Sequence, residues 1–188
     1  DYTLQLLNDL SKQSYLPSQV VVVDATPATE RDESLYENTR FPFELIIKWQ
    51  TTQGSCRARN EALDVCAGDY IVFGDDDIRI PPDFIENHIR LLQTYKTGAC
   101  KGLEIRSNKH LQDLEDLKTK LNNQEKSQYR VGVRTNLSNA NSCVKGSFVS
   151  QLVENVINYD GGYVEDADFG LSLTKIGLPV LLNPFSAT

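Results

Sequence analysis

Three consecutive aspartates, Asp75, Asp76 and Asp77, follow directly on the apolar run Tyr70-Ile71-Val72-Phe73 and Gly74. Adjacent carboxylates repel one another, and at neutral pH each raises its neighbours' pKa unless a cation is present. A divalent ion such as Mg²⁺ or Mn²⁺ suits such a place. It takes one or two carboxylates and completes its shell with water and substrate phosphates. Its chemistry there would be Lewis-acid stabilisation of a departing diphosphate. The competing reading makes the aspartates caps for a helix opened by Pro81 and Pro82, where orphan amides and the helix dipole favour Asp. Three in a row at a strand end favour metal or nucleotide binding.

Other constellations are weaker alone. Glu165 and Asp166, with Asp168, follow Gly161-Gly162-Tyr163; a carboxylate at the mouth of a site can take the proton of an attacking hydroxyl. Acidic residues in a helix's first turn also stabilise it without any chemistry. Gly54 to Asn60 starts a helix bearing Arg57 and Arg59, which could receive phosphate or a uracil-type group or simply be solvated. Asp24 at a strand end could bond a base or ribose, or serve as a turn residue before Pro27. His88 and His110 sit in polar helical contexts and read as solvated surface residues. With no Ser-His or Cys-His pair and no GxxxxGK[ST] run, triad hydrolases and P-loop enzymes lack support.

The elements that must position these residues alternate. Short β-branched runs at Val20 to Val23, Glu44 to Lys48, Tyr70 to Phe73 and Ala99 to Ile105 read as strands, the first buried on both faces. Between them lie helical patterns at Leu4 to Leu10, Ser55 to Cys66 and Pro81 to Tyr95. Such alternation predicts an α/β fold with a mostly parallel sheet. Residues 26–40 are polar with a short helix, and residues 107–128 read as an exposed helix. Val131 to Val133 and Ser142 to Val144 read as extended, Val164 to Lys175 as helical, and Val180 to Leu182 as a last strand.

The 188 residues fit one domain, with 40% hydrophobic and 24% charged residues, as in a soluble globular protein. A net charge of −7 argues against a nucleic-acid partner, whose phosphates require clustered Lys and Arg. No run approaches the ~20 apolar residues of a membrane span, and the four cysteines read as reduced thiols in a cytoplasmic protein. The absence of methionine and the abrupt ends read as an excised piece.

Taken in order, four segments resemble the family 2 glycosyltransferases, the large inverting family of the GT-A fold. Val20-Val-Val-Val-Asp24 is similar to the family's nucleotide-binding strand, and Gly54 to Leu63, with Ala58-Arg59-Asn60, to its arginine-asparagine helix. Gly68 to Asp77 followed by Pro81-Pro82 is similar to its metal-binding DxD strand. Asn139 to Val144, then Gly161 to Gly170, resembles the strand and acidic helix framing the acceptor side. The matches run over roughly residues 1–185.

The resemblance implies a Rossmann-like GT-A sheet flanked by helices, short of its first strand and its C-terminal end. It implies a nucleotide-binding half at 1–105 and an acceptor-side half at 106–188. Asp24 would contact the nucleoside, and Arg59 would lie near its base or diphosphate. Asp75 and Asp77 would be the outer metal ligands, with Asp76 sharing or taking over a contact and, with Asp75, touching the nucleotide. Asp166 would be the catalytic base, with Glu165 the second choice. The implied cofactor is Mn²⁺ or Mg²⁺, and the implied donor a nucleotide-sugar, foremost a UDP-sugar. The acceptor would be a saccharide or a lipid-linked molecule, with room for peripheral membrane association through segments beyond these residues. The reaction would be one in-line, inverting displacement. The turn after Asp24, Ala25-Thr26-Pro27, departs from the family's usual acidic-glycine-serine type. Two alternatives remain at this stage: a nucleotidyltransferase that makes nucleotide-sugars, and a non-catalytic nucleotide- or carbohydrate-binding module.

Overall fold

The computed structural model describes residues 2–32, 34–37, 39–50, 54–104, 131–134, 136–138, 140–148 and 165–188. In chain order these form α1 (Tyr2–Leu10), β1 (Gln19–Asp24), α2 (Ser34–Glu37), β2 (Glu44–Trp49), α3 (Ser55–Leu63), β3 (Tyr70–Gly74) and α4 (Phe84–Tyr95). Then come β4 (Ala99–Leu103), β5 (Val133–Arg134), β6 (Asn141–Lys145), a 3₁₀ turn at Gly146–Phe148, α5 (Glu165–Lys175) and β7 (Val180–Ala187). The expected α/β alternation is borne out, and β7 runs well past the predicted Leu182. The helix expected over residues 107–128, and His110 within it, lie outside the described residues.

Two corrections concern the strands. β1 and β2 pair in parallel, while the other five follow the order β3-β6-β4-β7-β5. In that sheet only β4 and β7 run parallel; β6 is antiparallel to both β3 and β4, and β5 to β7. The sheet is therefore mixed and not mostly parallel, because β6 enters between two strands of the opposite direction. β1 is half-buried along its whole length instead of buried on both faces. Among the described residues it bonds only to β2, and β3 only to β6. Val20 to Val23 and Tyr70 to Phe73 line one shared cavity.

Alternation along β3 divides the core. Ile71 and Phe73 pack with Leu63 of α3, Val144, Val180 and Leu173 of α5. Tyr70 and Val72 point the other way, onto Ile80 and onto Phe84, Ile85 and Ile89 of α4. The aspartates after Gly74 thus leave a strand held on both faces. α1 lays Leu7, only 1% exposed, against Tyr36 and Phe43.

α4 begins at Phe84, three residues later than Pro81, with Asp83 in the cap position. Pro82 biases its predecessor away from helix, so the proline pair forms the approach instead of the first turn. Asp83 makes no side-chain cap bond. Buried Gln13 supplies it: its Oε1 accepts from the Ile85 N–H at 3.1 Å while its Nε2 donates to the Pro81 carbonyl at 2.8 Å. Asp9 on α1 holds the preceding loop through two bonds from Arg79, at 2.5 and 2.8 Å.

His88 is not a surface residue, as its polar sequence neighbours suggest, but wholly buried. It sits on the inward face of α4, edge-on to Phe84 at 4.8 Å. A neutral ring with its proton on Nε2 donates to Asn141 Oδ1 at 2.9 Å and accepts from the Cys100 thiol at 3.2 Å. Asn141 in turn donates to the carbonyls of Leu103 at 3.0 Å and Ser186 at 3.3 Å. One buried amide thereby ties α4, β4 and β7 together. The amide lies so close over Gly102 that a Cβ there would stand 2.2 Å from Asn141 Oδ1. Burial holds the His88 pKa down to about 4, against an ordinary 6.5.

Two predictions follow from these buried polar groups. Native His88 stays neutral while the unfolded chain takes up a proton below about pH 6.5. Stability should therefore fall as pH drops from ~6.5 to ~4, by roughly 3 kcal/mol in total, and this contribution should level off below that. Melting temperatures of wild type and His88→Gln across this range should diverge in slope; parallel slopes would contradict a buried neutral ring. Arg79→Ala should destabilise by about 2–3 kcal/mol in urea unfolding, because Asp9 is left buried with its charge uncompensated. A loss within ~0.5 kcal/mol would show the pair to be no more than a surface contact.

Candidate functional site

Asp24 ends β1, and its carboxylate is held from two sides. Oδ1 accepts from the Thr26 N–H at 2.8 Å, and Oδ2 accepts from the Tyr36 hydroxyl at 3.0 Å. Partial burial pushes its pKa up, but these bonds and the nearby Arg31 outweigh it and leave the carboxyl below its usual range. The turn and ligand readings of Asp24 are therefore compatible: it makes the turn and still presents an ionised carboxylate. In the parallel register Asp24 lies opposite Trp49, the last residue of β2. Tyr36 packs against the Trp49 ring at 6.3 Å, and the Arg31 guanidinium sits over that ring at 4.8 Å. Arg31 also donates to the Thr26 carbonyl at 3.0 Å.

The second half of the site comes from α3 and the end of β3. Gly54 precedes α3 at φ +147, a conformation other residues rarely adopt, and its carbonyl accepts from Ala58 N–H and from the Gln50 amide. This sharp entry carries α3 past the end of β3. Arg59, one turn in, reaches Asp75 Oδ1 at 3.4 Å, while Arg57 is exposed. Burial raises the Asp75 pKa; repulsion from Asp77 and Asp76 adds to that, and Arg59 opposes it. Asp76 lies close enough to the Tyr36 phenol to help Asp24 and burial push its pKa to about 12.

Asp24, Tyr36, Trp49, Arg59 and Asp75 to Asp77 all line one cavity of about 1360 Å³, which runs along β1 and β3 and includes their carboxyl ends. The structure thus brings Asp24, Arg59 and Asp75 to Asp77 to one cavity, whereas Arg57 is not among the residues that line it. It removes the helix-cap explanation for the aspartates, since α4 starts at Phe84 and its cap position is Asp83. Among the described residues no three carboxylate, imidazole or thiol side chains converge to hold a metal ion by themselves. The triplet fits a partial donor set: crowded, solvent-facing carboxylates, of which Asp75 is met by Arg59, with room beside them for phosphate oxygens.

Glu165 and Asp166 occupy the first turn of α5, as expected, but their side chains, like Asp168 and residues 151–164, lie outside the described ones. Sequence reasoning missed Tyr36, Trp49 and Arg31. For Trp49 a signal existed: two adjacent parallel strands ending in equivalent register place their last residues side by side. Tyr36 and Arg31 come from an irregular polar stretch whose path no periodicity reveals.

Comparison with known proteins bears on the family and the fold. A curated relative, the glycosyltransferase GlyA of Streptococcus pneumoniae serotype 4, is 24% identical over 102 residues, which is 54% of this chain and 15% of the relative. Among solved structures, S. aureus TarS 1-349 in complex with UDP-GlcNAc superposes with a TM-score of 0.66 at 19% identity, over 99% of this chain and 53% of that one. The mannosyltransferase PcManGT from Pyrobaculum calidifontis, in complex with GDP-Man and Mn²⁺, gives 0.63 at 21% identity, over 99% and 52%. The chain therefore spans about half the length of these structures, and it shares their GT-A fold. The family model described as "Glycosyl transferase family 2" matches residues 1–149, most of the chain. On that match, and with the fold and the strand-end site in agreement, the chain belongs to glycosyl transferase family 2.

Proposed function

We propose that this chain forms the donor site of a metal-assisted, inverting glycosyltransferase, transferring a sugar from a nucleotide diphosphate to an acceptor hydroxyl. One observation carries the reading. At the carboxyl ends of β1 and β3, a strand-end carboxylate (Asp24), a helix-borne guanidinium (Arg59) and the aspartate triplet line the same cavity. In open α/β sheets this is where ligands bind. The solved relatives named as complexes with UDP-GlcNAc and with GDP-Man and Mn²⁺ support a nucleotide-sugar donor, with a UDP-sugar the first to try.

In this reading Asp24 hydrogen-bonds the nucleoside, beside the Trp49 ring. Arg59 turns toward the diphosphate and offsets the charge that grows on it as the glycosidic bond breaks. Asp75 and Asp77, with Asp76 sharing or taking over a contact, would hold a divalent ion, which would supply Lewis-acid stabilisation of the departing diphosphate. Asp166, or failing it Glu165, accepts the proton of the acceptor hydroxyl as its oxygen attacks the anomeric carbon. Attack on the face opposite the leaving diphosphate inverts that centre. Residues 1–105 would serve the nucleotide and residues 106–188 the saccharide or lipid-linked acceptor. Among the described residues no helix is long and apolar enough to cross a membrane. A nucleotidyltransferase would need no base at the start of α5.

Trp49 is the only tryptophan and lines the cavity, so its emission reports occupancy. Titration with UDP, GDP, dTDP and CDP should show one that binds with Mn²⁺ and quenches Trp49. EDTA or the double change Asp75→Ala/Asp77→Ala should weaken it at least ~10-fold, the loss of one or more charge-assisted contacts. Binding indifferent to both would overturn the metal assignment. Asp166→Asn should bind the same nucleotide within about twofold yet lose ~10²–10⁴ in turnover. Unchanged turnover would remove Asp166 from the chemistry and move the test to Glu165.

A further inference from the structure

Tyr36 has no place in the sequence motifs, yet its hydroxyl bonds Asp24 and lies within the field of Asp76. Its ring is 8% exposed and sits among Leu7 of α1, Phe43 and the edge of Trp49, so the core fixes where the phenol oxygen lies. From there the hydroxyl donates to Asp24 Oδ2 at 3.0 Å, and the Thr3 side chain on α1 hydrogen-bonds the same oxygen. With Thr26 N–H on Oδ1 and the Thr26 side chain also hydrogen-bonding the carboxylate, Asp24 is held by three donors, of which Tyr36 alone comes from outside its own turn. A carboxylate so held has its orientation set, and of its roughly four lone-pair sites one stays open for a ligand.

We propose that Tyr36 is a positioning residue, orienting the Asp24 carboxylate so that it meets the nucleoside in one preset geometry. The proposal rests on the reading that Asp24 contacts the nucleoside. Among the described residues, the charged groups that act on the phenol are acidic: Asp24 on β1 and Asp76 after β3, with neutral Thr3 from α1. Their field and burial keep the hydroxyl protonated up to about pH 12, so it remains a donor wherever Asp24 is ionised. Nucleotide affinity would then depend on a residue that never touches the nucleotide. Losing the preset would cost affinity for the nucleoside and leave the diphosphate contacts of Arg59 and the aspartates untouched.

Tyr36→Phe keeps the ring and deletes only the hydroxyl. Two probes with Mn²⁺ separate the halves of the site: UDP, which reaches the nucleoside contact, and inorganic pyrophosphate, which does not. The expected result is UDP binding weakened about tenfold, as for loss of a hydrogen bond to a charged group, with pyrophosphate binding unchanged. In an Asp24→Asn background the same change should weaken UDP by less than about twofold, because there is no carboxylate left to orient. Equal weakening of UDP and pyrophosphate, or full additivity with Asp24→Asn, would show a structural effect and overturn the proposal. If Asp24→Asn weakens UDP but Tyr36→Phe does not, the positioning role alone fails. If neither the wild type nor any variant distinguishes UDP from pyrophosphate, the nucleoside role of Asp24 fails, and the positioning role with it.

Discussion

Like charges crowded at the end of β3 are the constraint from which the rest of the site follows. Asp75, Asp76 and Asp77 are consecutive in the chain and leave a β3 that is gripped by α4 on one face and by α3 and α5 on the other. Burial and its two neighbours raise the Asp75 pKa, and Arg59 at 3.4 Å only partly compensates. Such an arrangement costs stability, and folding alone gives no reason to keep it. On the proposed function it would become favourable when a cation and an anionic ligand arrive together, the first meeting the carboxylates and the second meeting Arg59. The fold supplies stiffness so that this repulsion persists in the free protein.

That stiffness rests on buried polar joints more than on apolar packing alone. Asn141, directly opposite Gly74 in the β3–β6 ladder, stands beside the residue that launches the triplet. Its amide spans β4 and β7, and His88 fixes its orientation from α4. On the other side Asp9 and Gln13 of the α1 end hold Arg79 and the start of α4. The loop bearing the aspartates is thus fastened at both ends to groups that cannot leave without an unsatisfied buried partner.

Much of this was legible in the sequence because it depends on local pattern. Alternating β-branched runs and helical periods placed β1 to β4 and α3 within a few residues. The register of two parallel strands then carries Asp24 to the edge of the cavity. The mixed direction of the sheet was not legible: β6 lies about forty residues beyond β4 in the chain, and nothing in Asn141–Lys145 states whether it runs with or against its neighbours. His88 was misread for a related reason. Its sequence neighbours on α4 are polar, but helical period turns it inward beside Phe84, Leu91 and Leu92, where a satisfied imidazole is as acceptable as a leucine. Tyr36 was invisible because its role arises from tertiary contacts among α1, β1 and β2.

The central claim is that the aspartate triplet, Asp24 and Arg59 form one metal-and-nucleotide site. Paramagnetic broadening by Mn²⁺ in amide NMR spectra tests it most directly, since the effect falls steeply with distance from the ion. With substoichiometric Mn²⁺ and saturating UDP, the account predicts that amides of Gly74 to Ile78 vanish first. Those of Asp24 to Thr26 and of Ala58 to Asn60 should broaden next, while β5 and the last turn of α5 stay sharp. Broadening centred elsewhere, or confined to the triplet with Asp24 and Arg59 insensitive to UDP, would contradict it.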